Sequence, residues 1–203
     1  MAYVPDLRLL VVDDHPALRA GLEKLFDAEP GITCVGAVAG TDGLPELVER
    51  TEPDVVVLDY ALGEDDGLTT CFRIKQLPDP PAVVLYSAYA DRVFAVPAAM
   101  AQADATVAKS APVGELLAAV RRVGWGAAQP PPVDPELMEA ASARVLVEDL
   151  PVAGMLLGGK PVSEIADLLD LPVVEVRARA LRIIGRLQAG RRRGREPDAD
   201  LVA

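Results

Sequence analysis

Along this chain, short continuous apolar runs alternate with stretches whose apolar residues recur at helical spacing. The runs RLLVVDD (8–14), ITCVGAV (32–38), DVVVLD (54–59), AVVLYS (82–87) and ATVA (105–108) read as five strands. They are apolar throughout rather than at every second position, which fits strands buried on both faces of a parallel sheet. The segments between and after them, HPALRAGLEKLFDAE, TDGLPELVERTE, GLTTCFRIKQL, DRVFAVPAAMAQ and PVGELLAAVRRVGW, read as helices. In the first, Leu18, Leu22 and Phe26 recur every four residues and form an apolar stripe. Five β-α units in series predict a doubly wound, five-stranded parallel α/β domain, with its site at the carboxyl ends of the strands.

The pattern breaks at GWGAAQPPPVDP (124–135), whose consecutive prolines and small residues read as a linker. Everything beyond it reads as helical. The expected organisation is an α/β domain over 1–124, a Pro-rich linker over 125–133, a small all-α domain over 134–190 and a disordered tail over 191–203.

Charge adds an asymmetry to that division. The net charge is -11 over 203 residues, yet 161–195 hold about 8 Lys and Arg against 4 Asp and Glu. A polyanionic partner is therefore expected at the C-terminal part. The longest charge-free apolar stretch, around Val93 to Ala103, is too short to span a bilayer. MAYVPDLRLL shows neither a basic n-region nor a small-residue cleavage site, so a cytoplasmic protein without a signal peptide is expected, making no membrane contact. Cys34 and Cys71 have no metal-ligand spacing and read as buried free thiols in a reducing compartment.

The strand ends carry the candidate chemistry: Asp13 and Asp14 after the first, Asp59 at the third, Ser87 at the fourth and Lys109 after the fifth. In a parallel sheet these ends converge on one rim. Clustered carboxylates require a cation, and a few hard oxygen ligands favour Mg²⁺ with several waters retained. The cation and Lys109 would neutralise a phosphoryl group on Asp59, and the Ser87 hydroxyl would donate to one of its oxygens.

LLVVDDHPALRAGL, PDVVVLDY, DDGL, VVLYSA and Lys109 together resemble the receiver domain of bacterial two-component response regulators, especially the NarL/FixJ group with its DDHP..R.GL opening. The resemblance covers about residues 5–125. It implies that Asp59 is the phospho-accepting nucleophile, and that Asp14, Asp59 and the backbone carbonyl of Ala61 bind Mg²⁺. It also implies that Asp13 orients a metal-bound water, that Ser87 is the switch hydroxyl and that Lys109 pairs with the phosphate. Thr106 stands where such receivers usually carry Tyr or Phe, so the readout is expected to be weakened or rerouted. Tyr89, two residues after Ser87, reads either as a substitute for that aromatic or, the favoured reading, as a surface aromatic, and the loop YALGEDDG lacks the usual proline. His15, the only histidine, reads as a structural residue at a helix start. The phosphoryl donor is then external, a sensor histidine kinase, and the protein is no enzyme beyond promoting its own phosphotransfer to Asp59.

The segment KPVSEIADLLDLPVVEVRARALRIIGRL (160–187) reads as two helices broken at DLP. Ile165, Leu168, Leu169 and Leu171 make the apolar face of the first, and Val176, Ala180, Ile183 and Leu187 that of the second. Glu175, Arg179, Arg182 and Arg186 lie opposite. SEIADLLDLPVVEVRARALRIIGRL resembles the helix-turn-helix of LuxR-type output domains and region 4 of sigma factors, which implies that Arg177, Arg179, Arg182 and Arg186 face duplex DNA. Pro172 in place of a Ser/Thr cap, and the acidic Glu175, depart from that pattern. They keep open a helical tail that binds a protein such as RNA polymerase instead. A second copy of the chain is a further candidate partner.

Overall fold

Strands built of valine and leucine on both faces can only lie inside a layered domain, and the first unit is built that way. In a computed structural model, which describes residues 6–63, 65–88, 92–128, 130 and 132–192, the chain divides into two units, Met1–Val133 and Asp134–Ala203. The first unit runs β1 (Leu7–Val12), α1 (Pro16–Asp27), β2 (Ile32–Val38), α2 (Leu44–Thr51), β3 (Val55–Asp59), β4 (Ala61–Leu62), β5 (Asp65–Asp66), α3 (Gly67–Ile74), β6 (Ala82–Ser87), α4 (Ala95–Met100), β7 (Ala105–Ala108) and α5 (Val113–Gly124). Five strands form one parallel sheet in the order β2-β1-β3-β6-β7.

Leu9, Val11, Val55, Val57, Val84 and Val107 face α1 and α5, where they pack with Leu22, Phe26, Leu116 and Val120. The alternate residues Leu10, Val12, Val56, Leu58, Val83 and Leu85 are equally buried. They point to the other face, which α2, α3 and α4 cover with Val48, Leu68, Phe72 and Met100. The chain reverses direction across the sheet between β1 and β3, so the crevice at their carboxyl ends is the place for a site.

Two local readings change. The helix expected over 91–102 is regular only from Ala95 to Met100, after a 3₁₀ turn at Arg92–Phe94, with Pro97 accommodated in its first turn. Cys71 is buried as expected, but Cys34 is only half-buried on the edge strand β2. Burial raises the pKa of both thiols, most at Cys71. The β4-β5 ribbon, absent from the sequence pattern, pairs Ala61 with Asp66 and Leu62 with Asp65.

The second unit holds α6 (Pro135–Ser142), a 3₁₀ turn at Val147–Asp149, α7 (Leu150–Leu157), α8 (Val162–Leu169) and α9 (Val173–Arg192). Asp170 ends α8 in the left-handed conformation at φ 52°, which a short polar side chain tolerates, and the chain turns directly into α9. Val176, Ala180, Ile183 and Leu187 are all buried, as are Val152 and Leu156 of α7 and Ile165 of α8, the two helices that pack against α9. Leu168 departs from its expected place. It is 56% exposed, and Val162, Ile165 and Ala166 form the inner face of α8 instead. Tyr89 and residues 193–203 of the tail lie outside the described residues. Among the described residues, no helix is long and apolar enough to cross a membrane.

Candidate functional site

Each acidic residue reaches the rim because its strand ends there. β1 stops at Val12 because its last ladder bond, from Asp13 N–H to the Val38 carbonyl, closes the pairing with β2. Asp13 then turns the chain: its Oδ1 accepts the His15 N–H at 2.8 Å, and Pro16 opens α1 without losing a needed donor. Arg19, one turn into α1, donates from Nη1 to the Asp13 carbonyl at 2.8 Å and holds this corner.

The loop after Asp59 is tied just as closely. Asp66 caps α3, accepting from the N–H groups of Leu68 and Thr69 and from the Thr69 hydroxyl. Gly67 N–H donates to the Tyr60 carbonyl at 2.9 Å. A Cβ at Gly67 would stand 2.2 Å from the Asp59 carbonyl oxygen and 2.7 Å from Tyr60 Cα, so only glycine lets α3 start against this strand end. Gly67→Ala is therefore expected to lower the urea midpoint, by a stability loss of about 1–3 kcal/mol, and to weaken cation binding by displacing Asp59. An unchanged midpoint with unchanged cation affinity would contradict this account of the turn.

The structure brings Asp13, Asp14, Asp59 and Lys109 together. Lys109 Nζ lies 2.8 Å from both Asp13 Oδ2 and Asp59 Oδ2. The contact to Asp13 is a hydrogen bond, whereas that to Asp59 is an ion pair that leaves Oδ2 without an aligned donor. Asp13 and Asp59 are buried and Asp14 is partly exposed. Burial pushes the Asp59 carboxyl above the ordinary carboxylate range, against the opposing pull of the Lys109 ammonium beside it. Burial alone would lower Lys109, but its close contacts with the Asp13 and Asp59 carboxylates outweigh this and leave it raised. Ser87 is fully buried at the end of β6, one residue beyond the Tyr86 that pairs with Asp59, and its carbonyl accepts the Lys109 N–H at 2.8 Å.

Three carboxylates here face one ammonium, and two of their oxygens, Asp14 Oδ1 and Asp59 Oδ2, are sealed from solvent without a hydrogen bond. Buried acceptors without aligned donors are costly, and the single ammonium of Lys109, which meets Asp59 Oδ2, does not balance three carboxylates, so the residues fit a divalent ion. His15 belongs to this group as well. Its backbone sits at the helix start as expected, but its ring turns to the acids, with Nδ1 2.7 Å from Asp14 Oδ1. Sequence alone makes it a structural residue, because adjacency in the chain does not show which way a ring points. Gly67 and Arg19 stand out in sequence only as parts of motifs; their roles rest on close approaches that spacing does not reveal. Thr106 is half-buried on β7, paired with Leu85.

In the second unit the four arginines divide. Arg182 donates from Nε and Nη2 to the two oxygens of Asp149 at 2.9 and 2.6 Å, and Asp149 is fully buried. Arg179 bonds to Glu175 Oε1 at 2.7 Å and to the Glu148 carbonyl at 3.0 Å. Arg177 and Arg186 are exposed.

Comparison with known proteins agrees with this geometry. The response regulator receiver domain family matches residues 9–121. The transcriptional regulatory protein LiaR of Bacillus subtilis (strain 168) is 25% identical over 92% of this chain and 93% of its own length. An uncharacterized transcriptional regulatory protein, YhcZ, of the same organism is 34% identical, but the match spans 55% of this chain and about half, 52%, of that relative. A crystal structure of a LuxR-family two-component response regulator from Aurantimonas sp. SI85-9A1 superposes with TM-score 0.58 at 28% identity, covering 68% of this chain and 99% of that one. With its acidic rim, its lysine and its strand order in place, the chain belongs to the response regulator receiver family.

Proposed function

We propose that the chain is a two-component response regulator in which phosphorylation of Asp59 controls transcription through duplex DNA bound by the helical unit. Residues 1–124 act as the receiver, 125–133 as linker and 134–190 as output domain. The observation that carries this reading is the buried Asp59 carboxylate, charge-paired with Lys109 and flanked by Asp13 and Asp14.

Asp14, Asp59 and the Ala61 carbonyl would hold Mg²⁺, with Asp13 acting through a water, and the ion would supply charge neutralisation for the transferred phosphoryl group. An Asp59 oxygen attacks phosphorus of a phosphohistidine on a sensor kinase. The new O–P bond forms as the N–P bond breaks, and the imidazole leaves with its electron pair. Lys109 moves from pairing the carboxylate to pairing the phosphoryl oxygens, and Ser87 donates to another of them. No further reaction is assigned to the protein.

For the output, Arg177 and Arg186 offer exposed guanidinium groups to phosphates or base edges. One observation favours a protein partner instead: Leu168 and Val174, the latter 73% exposed, leave apolar side chains open at the α8–α9 junction. Binding of the full chain to duplex DNA across a salt series separates the two. DNA binding predicts a log K that falls linearly with log salt; no binding at low salt would leave the protein-partner reading.

A further inference from the structure

The imidazole at the mouth of the acidic rim has no place in the phosphotransfer chemistry, and its position is specific. His15 Nδ1 lies 2.7 Å from Asp14 Oδ1, 3.5 Å from Asp13 Oδ1 and 4.0 Å from Asp59 Oδ2. Ligand atoms of all four residues fall within 4.8 Å of one another. Around an octahedral ion with bonds of about 2.1 Å, neighbouring ligands are about 3.0 Å apart and opposite ones about 4.2 Å. The distances from Nδ1 to the two direct carboxylate ligands, Asp14 and Asp59, fall close to that range, so one ion can touch the imidazole and both of them with small shifts while Asp13 keeps its water-mediated place. Two of the oxygens involved, Asp14 Oδ1 and Asp59 Oδ2, are the ones sealed from solvent without a hydrogen bond. The ring is 66% exposed, so turning it onto an ion breaks no packing.

We infer that His15 is a direct metal ligand, and that it extends the site from hard cations to divalent ions with affinity for imidazole, of the Zn²⁺, Co²⁺ and Ni²⁺ class. The physical ground is ligand softness. Mg²⁺ takes oxygen and keeps its waters, so the imidazole adds little to its binding, whereas borderline ions gain from a nitrogen donor. The ring would replace one water on the solvent side of the ion, leaving the Asp59 side for the phosphoryl group. His15 thereby sets which cation occupies the receiver. Lys109, on Asp13 Oδ2 and Asp59 Oδ2, and Arg19, on the Asp13 carbonyl, keep their places while it does so.

This inference rests on the proposed cation site, and the experiment separates the two. Calorimetric titrations of the full chain with Mg²⁺ and with Zn²⁺, on wild type, His15→Ala and Asp14→Ala, give the affinities. Because His15 is the only histidine in the sequence, its ring nitrogens are read individually by ¹⁵N NMR. The expected result is a His15→Ala loss of tenfold or more for Zn²⁺ and less than threefold for Mg²⁺, with Asp14→Ala weakening both. Zn²⁺ should shift the Nδ1 resonance while Nε2 moves little. Equal losses for the two metals, or an unmoved Nδ1 with Zn²⁺ bound, overturn the role of His15 and leave the Mg²⁺ site standing. Failure of both metals to bind wild type overturns the cation site and this inference together.

Discussion

Incubation with acetyl phosphate and Mg²⁺ is expected to add one phosphoryl group to the wild-type chain and none to Asp59→Asn. The amide keeps the shape and burial of the carboxylate but removes the charged nucleophile, so the loss should be complete rather than graded. Lys109→Ala is expected to behave differently. Its acceptor oxygen remains, while the ammonium that neutralises the transferred group is gone, so labelling should be slowed by roughly 10²–10³-fold. Intact-protein mass spectrometry over time distinguishes the two patterns. Equal labelling of wild type and Asp59→Asn would move the phosphorylation site elsewhere, and an unslowed Lys109→Ala would remove the lysine from the transfer.

Replacing Arg177 and Arg186 together by alanine is expected to lower the magnitude of the log K versus log salt slope on duplex DNA, by about 0.9 for each phosphate that an arginine no longer neutralises. If one of them reads a base edge instead, its alanine variant should relax preference at one position, costing roughly 1–3 kcal/mol of discrimination. Asp149→Ala tests the structural role of Arg182. Arg182 grips both oxygens of this buried carboxylate, and Arg179 reaches the adjacent Glu148 carbonyl. These hydrogen bonds hold α9 to the start of α7, and Asp149→Ala removes the two made by Arg182, so it should lower the melting temperature of the helical unit by roughly 5–10 °C. The salt slope at a temperature where the unit is folded should stay unchanged. A slope that fell with Arg182→Gln but not with the Arg177 and Arg186 pair would reverse this division of labour.

Strand existence and the acidic rim are legible because both are written in local pattern. A run such as VVVLD cannot be stable with either face in water, so it must be an inner strand, and its terminal aspartate must emerge at the rim formed by the carboxyl ends of the strands. Val176, Ala180, Ile183 and Leu187 are legible for the same reason, since one helical face must be buried. Pattern fails where burial depends on a partner far along the chain. Leu168 fits the apolar pattern, yet α7 and α9 pack against the Val162, Ile165 and Ala166 face and leave it in solvent. Arg182 fits a DNA-facing stripe, yet Asp149, 33 positions earlier, holds it.

The sequence by itself determined the parallel α/β layer, the helical second unit and the identity of the residues at the strand ends, because period and strand termination are local properties. Tertiary structure alone decided how those residues meet. Lys109 reaches Asp13 across 96 positions, because β7 and β1 end on the same rim. Gly67 has to be glycine because α3 starts against the Asp59 carbonyl, and His15 joins the acids because its ring turns toward Asp14. Charge pairing, close approach and ring direction act over a few ångströms in space, and spacing along the chain carries no record of such distances.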